Sequence, residues 1–390
     1  MDIDFLITEL NVGGAEKAIT HLAIGMHDAG HLVRVLSIDA PPIGEQRALV
    51  DQLQQAGVDV QFGGFRRPSQ FLAARRWLRK RISERNVDVL QSFLFHAHVL
   101  AAASIGRDQV KHFVGGLRVA TPSPLRRRVL RWAMRPMDHV VAVSQAIAQQ
   151  AQAKLHLADQ RCTVIPNGVD LARFEQAIPF DWQTLGWPAD SQVALFVGRL
   201  HPQKGLELLQ AQAASLLAAG DKRRLLLVGD GPLRESLQHW IQQINSDDRL
   251  RARQSTTGVE AVKRLPWQAD IAPLMKAATM LILPSRYEGM PNVVLEAMAA
   301  GLPIVCSKIE GAAELFTDAE SAPSTQRSSD SQVFPIGDGP QMRHLAETLF
   351  ADPIAAKELG QRNRQHASQS FSYSLMIQRY QQLYQQLCGR

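Results

Sequence analysis

Short apolar runs of β character alternate with stretches of helical period along almost the whole chain. Six of them, at residues 3–7, 33–38, 58–62, 87–91, 112–114 and 140–143, fall in the first half. A second series begins at 193–197 and continues through 225–228, 280–283 and 304–306. A parallel strand pair needs a long crossover, which a helix supplies, so this alternation predicts parallel, doubly wound sheets. At 390 residues the chain exceeds a typical single core, and two series predict two domains. Residues 174–190 carry Pro, Gly and aromatic residues without a clear period and are expected to link a domain at 1–173 to one at 191–370. Residues 371–390 are expected to add a terminal helix. No tandem repeat of the domain-building kind is present.

The run Met280-Leu281-Ile282-Leu283-Pro284-Ser285, followed by Glu288-Gly289-Met290-Pro291-Asn292-Val293-Val294-Leu295-Glu296, reads as strand, loop and helix. Pro291 suits a first helical turn, where a missing N–H is no loss. Backbone N–H groups at such a helix start, with the positive end of its dipole, form an anion site suited to a diphosphate. Glu296 falls one to two turns inside, among Val293, Val294, Leu295, Ala297 and Met298. A carboxylate there is costly unless it is paired or meets a hydroxylated ligand. The plainer reading puts Glu296 on an exposed stripe and leaves Glu288 as a loop charge.

The two glutamates separated by seven residues resemble the signature of the retaining GT4 glycosyltransferases. Further segments agree in order: Gly13-Gly14-Ala15-Glu16 after the first strand, Ile165-Pro166-Asn167-Gly168-Val169-Asp170, Phe196-Val197-Gly198-Arg199-Leu200 with Lys204-Gly205, and Leu225-Leu226-Leu227-Val228-Gly229-Asp230-Gly231-Pro232. The resemblance implies the GT-B fold, an α/β architecture of two doubly wound Rossmann-like domains facing across a cleft. Residues 1–173 would bind the acceptor, 191–370 the nucleotide-sugar donor, and 371–390 would return to the first domain. It also implies roles: Arg199 and Lys204 on the diphosphate, Glu288 on the transferred sugar, and Glu296 on the ribose hydroxyls. Gly289, Met290, Pro291, Asn292 and Val293 would line the donor, and backbone groups close to Leu265 would meet the base. Gly13 and Gly14 would let backbone approach the phosphates. A guanidinium and an ammonium can stabilise a departing diphosphate without a metal, so no metal site and no cofactor beyond the co-substrate is expected.

Two segments depart from the family pattern. Residues 320–331 are polar and Ser-rich and read as a loop, and Arg251-Ala252-Arg253-Gln254-Ser255-Thr256-Thr257-Gly258 replaces a compact strand and turn. Many relatives carry His-x-His at the end of the fourth strand, and Gln91 and Phe93 stand at those positions. His96 or His98 is then the acceptor-side histidine, with His98 also read as a residue packing the next helix. Asp2-x-Asp4 spells the motif of metal-dependent glycosyltransferases but lies at the entry of its strand, and is read as a solvated chain end. His96-x-His98 lacks a third metal ligand. Gly229-x-Gly231 has Arg234 where a dinucleotide fingerprint needs its third Gly.

Residues 1–175 hold 22 Lys and Arg against 16 Asp and Glu, which accounts for the whole net charge of +6. Arg75, Arg76, Arg79, Lys80 and Arg81 form one cluster, and Arg126, Arg127, Arg128, Arg131 and Arg135 another. Leu125, Val129, Trp132 and Ala133, and likewise Leu78 and Ile82 beside Trp77, recur among these charges at helical spacing. Such basic amphipathic helices predict contact between the N-terminal domain and an anionic membrane surface, against the alternative of ordinary helices packed on the sheet. Three scattered cysteines and no basic, apolar leader predict a reducing, cytoplasmic setting, peripheral at the inner face of the plasma membrane.

The expected activity is transfer of a sugar, with a UDP-sugar as the donor expected from frequency among similar enzymes, to a glycan or lipid-linked acceptor in surface polysaccharide or glycoconjugate synthesis. A sugar-nucleotide epimerase on the same fold is the alternative enzyme. A basic nucleic-acid-binding protein is disfavoured, since no aromatic stacking platform accompanies the arginines.

Overall fold

The computed structural model describes all residues except 107–108, 120–122, 249, 251–258, 317–331 and 390. The expected loop at 320–331 and the divergent stretch Arg251 to Gly258 therefore lie outside the described residues. The chain divides into two compact units, Met1–Gly168 with Tyr373–Arg390, and Val169–Ser372.

The first unit runs β1 (Asp2–Ile7), α1 (Gly14–Asp28), β2 (Leu32–Ser37), α2 (Ala48–Gln55), β3 (Asp59–Phe62), α3 (Phe71–Ser83), β4 (Val87–Phe93), α4 (Phe95–Ser104), β5 (Val110–Leu117), α5 (Pro124–Met134), β6 (His139–Ala142), α6 (Gln145–Leu155) and β7 (Cys162–Val164). Its strands form one sheet in the order β3-β2-β1-β4-β5-β6-β7. Every pair is parallel.

The second unit holds α7 (Leu171–Gln176), β8 (Gln192–Val197), α8 (Leu206–Ala218), β9 (Arg223–Val228), α9 (Arg234–Asn245), β10 (Val262–Leu265), α10 (Ala272–Ala277), β11 (Met280–Leu283), α11 (Asn292–Ala300), β12 (Ile304–Ser307), β13 (Val333–Phe334), α12 (Gly339–Ala351) and α13 (Pro353–Ser370). Its sheet, β10-β9-β8-β11-β12-β13, repeats the same winding, again with parallel pairs throughout. The last helix, α14 (Tyr373–Leu387), belongs to the first unit, where its Met376, Tyr380, Leu383 and Tyr384 enter the core beside Ile3, Phe5 and Ile19.

Central strands of a sheet covered on both faces are apolar without alternation. Val193, Ala194, Leu195 and Phe196 of β8 and all four residues of β11 are fully buried, as that requires. In both sheets the order reverses at the first strand, between β1 and β4 and between β8 and β11. Ligands of open α/β sheets bind outside the carboxyl ends of the strands at this switch point. The loops that matter are therefore those after β1, β4, β8 and β11.

Three sequence expectations differ from the structure. Residues 174–190 are folded into the second unit: Phe174, Trp182 and Trp187 are buried, the two indole rings lie 5.9 Å apart, and Trp187 Nε1 donates to Glu260 O at 2.7 Å. Aromatic burial explains why a stretch without a period is nonetheless packed. Asp4 is not solvated but fully buried, accepting from Arg34 Nε at 3.0 Å and Nη2 at 2.7 Å and pairing with Arg85. A buried carboxylate requires such partners. Leu78 and Ile82 of α3 are core residues, and so is Ala133 of α5, which leaves Leu125 (74% exposed) and Trp132 (44%) as the outward apolar side chains of α5.

Candidate active site

In the second unit Gly198-Arg199-Leu200 follows β8, and His201 then caps a single helical turn at Pro202–Lys204, its Nδ1 accepting from Gln203 N at 3.2 Å. Gly205 follows with φ +64°, and a Cβ there would lie 2.0 Å from Pro284 O. Only glycine satisfies both the left-handed backbone and the close approach. That approach stitches the β8 loop to the β11 loop. Arg286 N donates to Gln203 O at 2.8 Å, Gln203 Nε2 donates to Tyr287 O at 2.9 Å, and Arg286 pairs with Glu207 at 2.7 Å.

This stitching brings two of the expected site residues into contact. Lys204 Nζ donates to Glu288 Oε1 at 2.5 Å, with both side chains largely buried at 16% and 12% exposure. Ser285, fully buried at the end of β11, donates its hydroxyl to the same Oε1 at 3.0 Å. A third loop closes in from β12, where a Cβ at Gly311 would fall 1.7 Å from Gly289 O.

Helix α11 begins at Asn292, so Pro291 is its N-cap and not its first helical residue as the sequence implied. Proline brings no side-chain cap to the first-turn N–H groups. Met290 and Pro291 are buried, Asn292 and Val293 half-buried. Glu296 lies on the buried side of the helix, at 8% exposure, and is not on an exposed stripe. Arg199 is exposed, and its guanidinium has no partner among the described residues. Leu265 ends β10 with its carbonyl engaged by Gly229 N at 3.1 Å.

In the first unit Gly13 has extended backbone at φ −154°, and a Cβ there would sit 2.2 Å from Glu16 Oε2. The room that glycine leaves is thus filled by the chain's own carboxylate, and Gly14 begins α1. After β4, Leu94 takes φ +70°, a strained value for a branched residue, at the carboxyl end of the sheet. His96 follows it exposed in the first turn of α4, with the Phe95 ring edge-on at 5.4 Å. Although its surface is open, the protein around the ring desolvates it, and this, with the nearby Arg126, holds its pKa below the usual histidine value, partly opposed by Glu9. His98 is buried with Nδ1 2.8 Å from Ser92 Oγ, and burial pushes its pKa down to about 4. It is a neutral packing residue.

Several residues at these strand ends escaped the sequence reading. Ser285, Gln203 and Gly311 are the clearest, and Arg118 just after β5 is another, buried with Nη2 2.5 Å from Asn167 Oδ1. Their signal is positional only: each directly follows a strand or falls in a strand-end loop. Among the described residues no group of three or more His, Cys, Asp and Glu is arranged to hold a metal, and no helix is long and apolar enough to cross a membrane.

Two family models match the chain, Glycosyltransferase Family 4 over residues 12–173 and Glycosyl transferases group 1 over residues 191–350. The Escherichia coli UDP-Gal:alpha-D-GlcNAc-diphosphoundecaprenol alpha-1,3-galactosyltransferase is 36% identical over 164 residues, 40% of this chain and 39% of that protein. The phosphatidyl-myo-inositol mannosyltransferase of Mycolicibacterium smegmatis is 27% identical over 322 residues, 79% of this chain and 76% of that protein. Anabaena Alr3699/HepE, solved in complex with UDP-glucose, superposes with a TM-score of 0.77 at 24% identity, covering 98% of this chain and 99% of that one. At that identity the likeness carries the fold alone, which is GT-B. With one model matching each unit and the two-glutamate segment in place, the chain belongs to the GT4 family of glycosyltransferases.

Proposed function

We propose that the protein is a retaining, metal-independent glycosyltransferase that moves a sugar from a UDP-sugar to a lipid-linked or growing surface glycan. The contact of Lys204 with Glu288 carries this reading. It sets a cation and a carboxylate side by side at the switch point, as a donor with an anionic diphosphate and a hydroxylated sugar would require. Lys204 and the unpartnered Arg199 would stabilise the charge of the departing diphosphate, work that a metal ion does elsewhere. The N-terminus of α11 adds its dipole to the same anion. Glu288 would accept from hydroxyls of the transferred sugar, and the buried Glu296 from the ribose. Glu288 is hydrogen-bonded through one oxygen to Lys204 and Ser285, which suits an orienting group better than a nucleophile. Retention then calls for attack on the same face within an ion pair. His96, exposed and shifted toward the neutral form, would share the acceptor proton.

The donor base follows the relatives: HepE was solved with UDP-glucose, and the galactosyltransferase is named for UDP-Gal and a diphosphoundecaprenol acceptor. A lipid-linked acceptor would make membrane contact useful. Leu125 and Trp132 stand exposed beside Arg128 and Arg135, whose guanidiniums have no partner among the described residues. Arg126, by contrast, stacks over Phe95, and Arg131 donates to Lys154 O. The deciding experiment is a panel of labelled UDP- and GDP-sugars with excess chelator present. Release of nucleoside diphosphate from a UDP-sugar supports the reading; dependence on added Mg²⁺ or Mn²⁺, or turnover of GDP-sugars alone, overturns its metal or base assignment.

A further inference from the structure

We infer that Ser285 is a positioning residue that keeps Glu288 oriented while Lys204 serves the donor's diphosphate. The inference rests on the reading of Glu288 as the sugar-side carboxylate and gives Ser285, which that reading uses only as a hydrogen-bond partner, a part in turnover. Glu288 Oε1 accepts two bonds, from Lys204 Nζ at 2.5 Å and Ser285 Oγ at 3.0 Å, while Oε2 has no partner among the described residues. The carboxylate is thus gripped by one oxygen and offers the other. An ammonium that must also meet a diphosphate is a poor sole anchor, since the incoming anion competes for it. A neutral hydroxyl is drawn to an incoming anion far less strongly than an ammonium, so it stays bonded to the carboxylate when the diphosphate arrives.

Two further observations single out Ser285. Its side chain is fully buried at the end of β11, and a buried hydroxyl needs a partner; Glu288 Oε1 is its acceptor. Its own backbone is held in turn, because the hydroxyl of Ser307 at the end of β12 donates to Ser285 O. The spacing Ser-x-x-Glu also spells a helix capping box, yet residues 285–288 precede the helix, which starts only at Asn292. The pair therefore fixes a loop carboxylate in place and caps nothing.

The test compares Ser285→Ala and Ser285→Cys with wild type and with Glu288→Gln. Substrate is whichever of UDP-glucose, UDP-galactose, UDP-N-acetylglucosamine and GDP-mannose the wild-type enzyme turns over, and binding is read with the matching nucleoside diphosphate by calorimetry. Loss of a hydrogen bond to a charged group predicts a kcat lower by about 10- to 100-fold in Ser285→Ala. Donor KM and diphosphate affinity stay within about twofold. The near-isosteric Cys, a weaker donor, falls between, and carries the same test where Ala does not fold. A kcat within twofold of wild type overturns the inference. So does a loss of diphosphate affinity equal to the loss of kcat, which would mean that the loop had collapsed. If Glu288→Gln is fully active, the donor-site reading itself falls; if it is inactive while Ser285→Ala is normal, only the role of Ser285 falls.

Discussion

Tyr384, near the end of the chain, donates its hydroxyl to Oε1 of Gln91, 293 residues earlier at the end of β4. Both side chains are fully buried in the first unit. The last helix is thereby tied by a polar bond as well as by its apolar face to the strand next to the switch point. Tyr384→Phe keeps the ring and leaves Gln91 with a buried, unanswered carbonyl. An unsatisfied buried group costs about 1–3 kcal/mol, so the variant should unfold at lower urea with unchanged far-ultraviolet dichroism. An unchanged midpoint would show that the bond contributes nothing.

Lys204→Ala and Glu288→Gln should each lower turnover by on the order of 100-fold or more, the usual effect of removing a group that acts on developing charge. The two differ in binding. Lys204→Ala should weaken nucleoside diphosphate affinity, while Glu288→Gln should leave it nearly intact, since of the two Lys204 alone is proposed to meet the diphosphate. Calorimetric titration separates the two, and equal losses of affinity would refute the division of labour.

His98 makes stability depend on pH. Its folded pKa, about 4, lies below the ordinary 6.5, so the neutral form is the one that packs. Its contribution is complete above pH 6.5 and is lost as pH falls from there toward 4, because the unfolded chain takes up a proton that the folded chain refuses. Between pH 7 and pH 5 this amounts to about 2 kcal/mol. His98→Asn should flatten that part of the urea-stability profile relative to wild type; parallel profiles would contradict the burial of a neutral ring.

Leu125 and Trp132 should govern lipid binding. Sedimentation with anionic liposomes at low salt should bring the wild-type protein down, and Leu125→Ser with Trp132→Ser should leave it in the supernatant. Each basic residue near an anionic surface adds about 1 kcal/mol, so raised salt should weaken binding of the wild type too. Equal, negligible pelleting with neutral and anionic vesicles would point to a soluble acceptor.

Much of this architecture is legible in the sequence because parallel strands covered on both faces announce themselves as apolar runs, as 193–197 and 280–283 do. The segments at Lys204 and Glu288 are legible for another reason: loop chemistry at a strand end follows short motifs. What stays hidden is pairing across long separations. Nothing near Asp4 in sequence reveals Arg34 as its partner, and nothing near Trp187 reveals Glu260. The short strand Cys162–Val164 is hidden as well, since three residues carry no period. Ser285 is visible as a residue but not as the partner of Glu288, because an irregular loop, and not a helix, sets their distance.

The loops around Glu288 meet backbone to backbone. Gly205 lies against Pro284 O, Gly311 against Gly289 O, Gly229 against Gly198 O and Gly231 against Leu200 O, each too close for a Cβ. Contacts between main chains do not depend on which side chains the neighbouring positions carry. The exposed Tyr287 gives only its carbonyl to this frame, so its side chain can be replaced without moving the carboxylate. A frame of this kind separates the main-chain contacts that hold the carboxylate from the exposed side chains beside it, so that the loop's surface can change while its geometry does not.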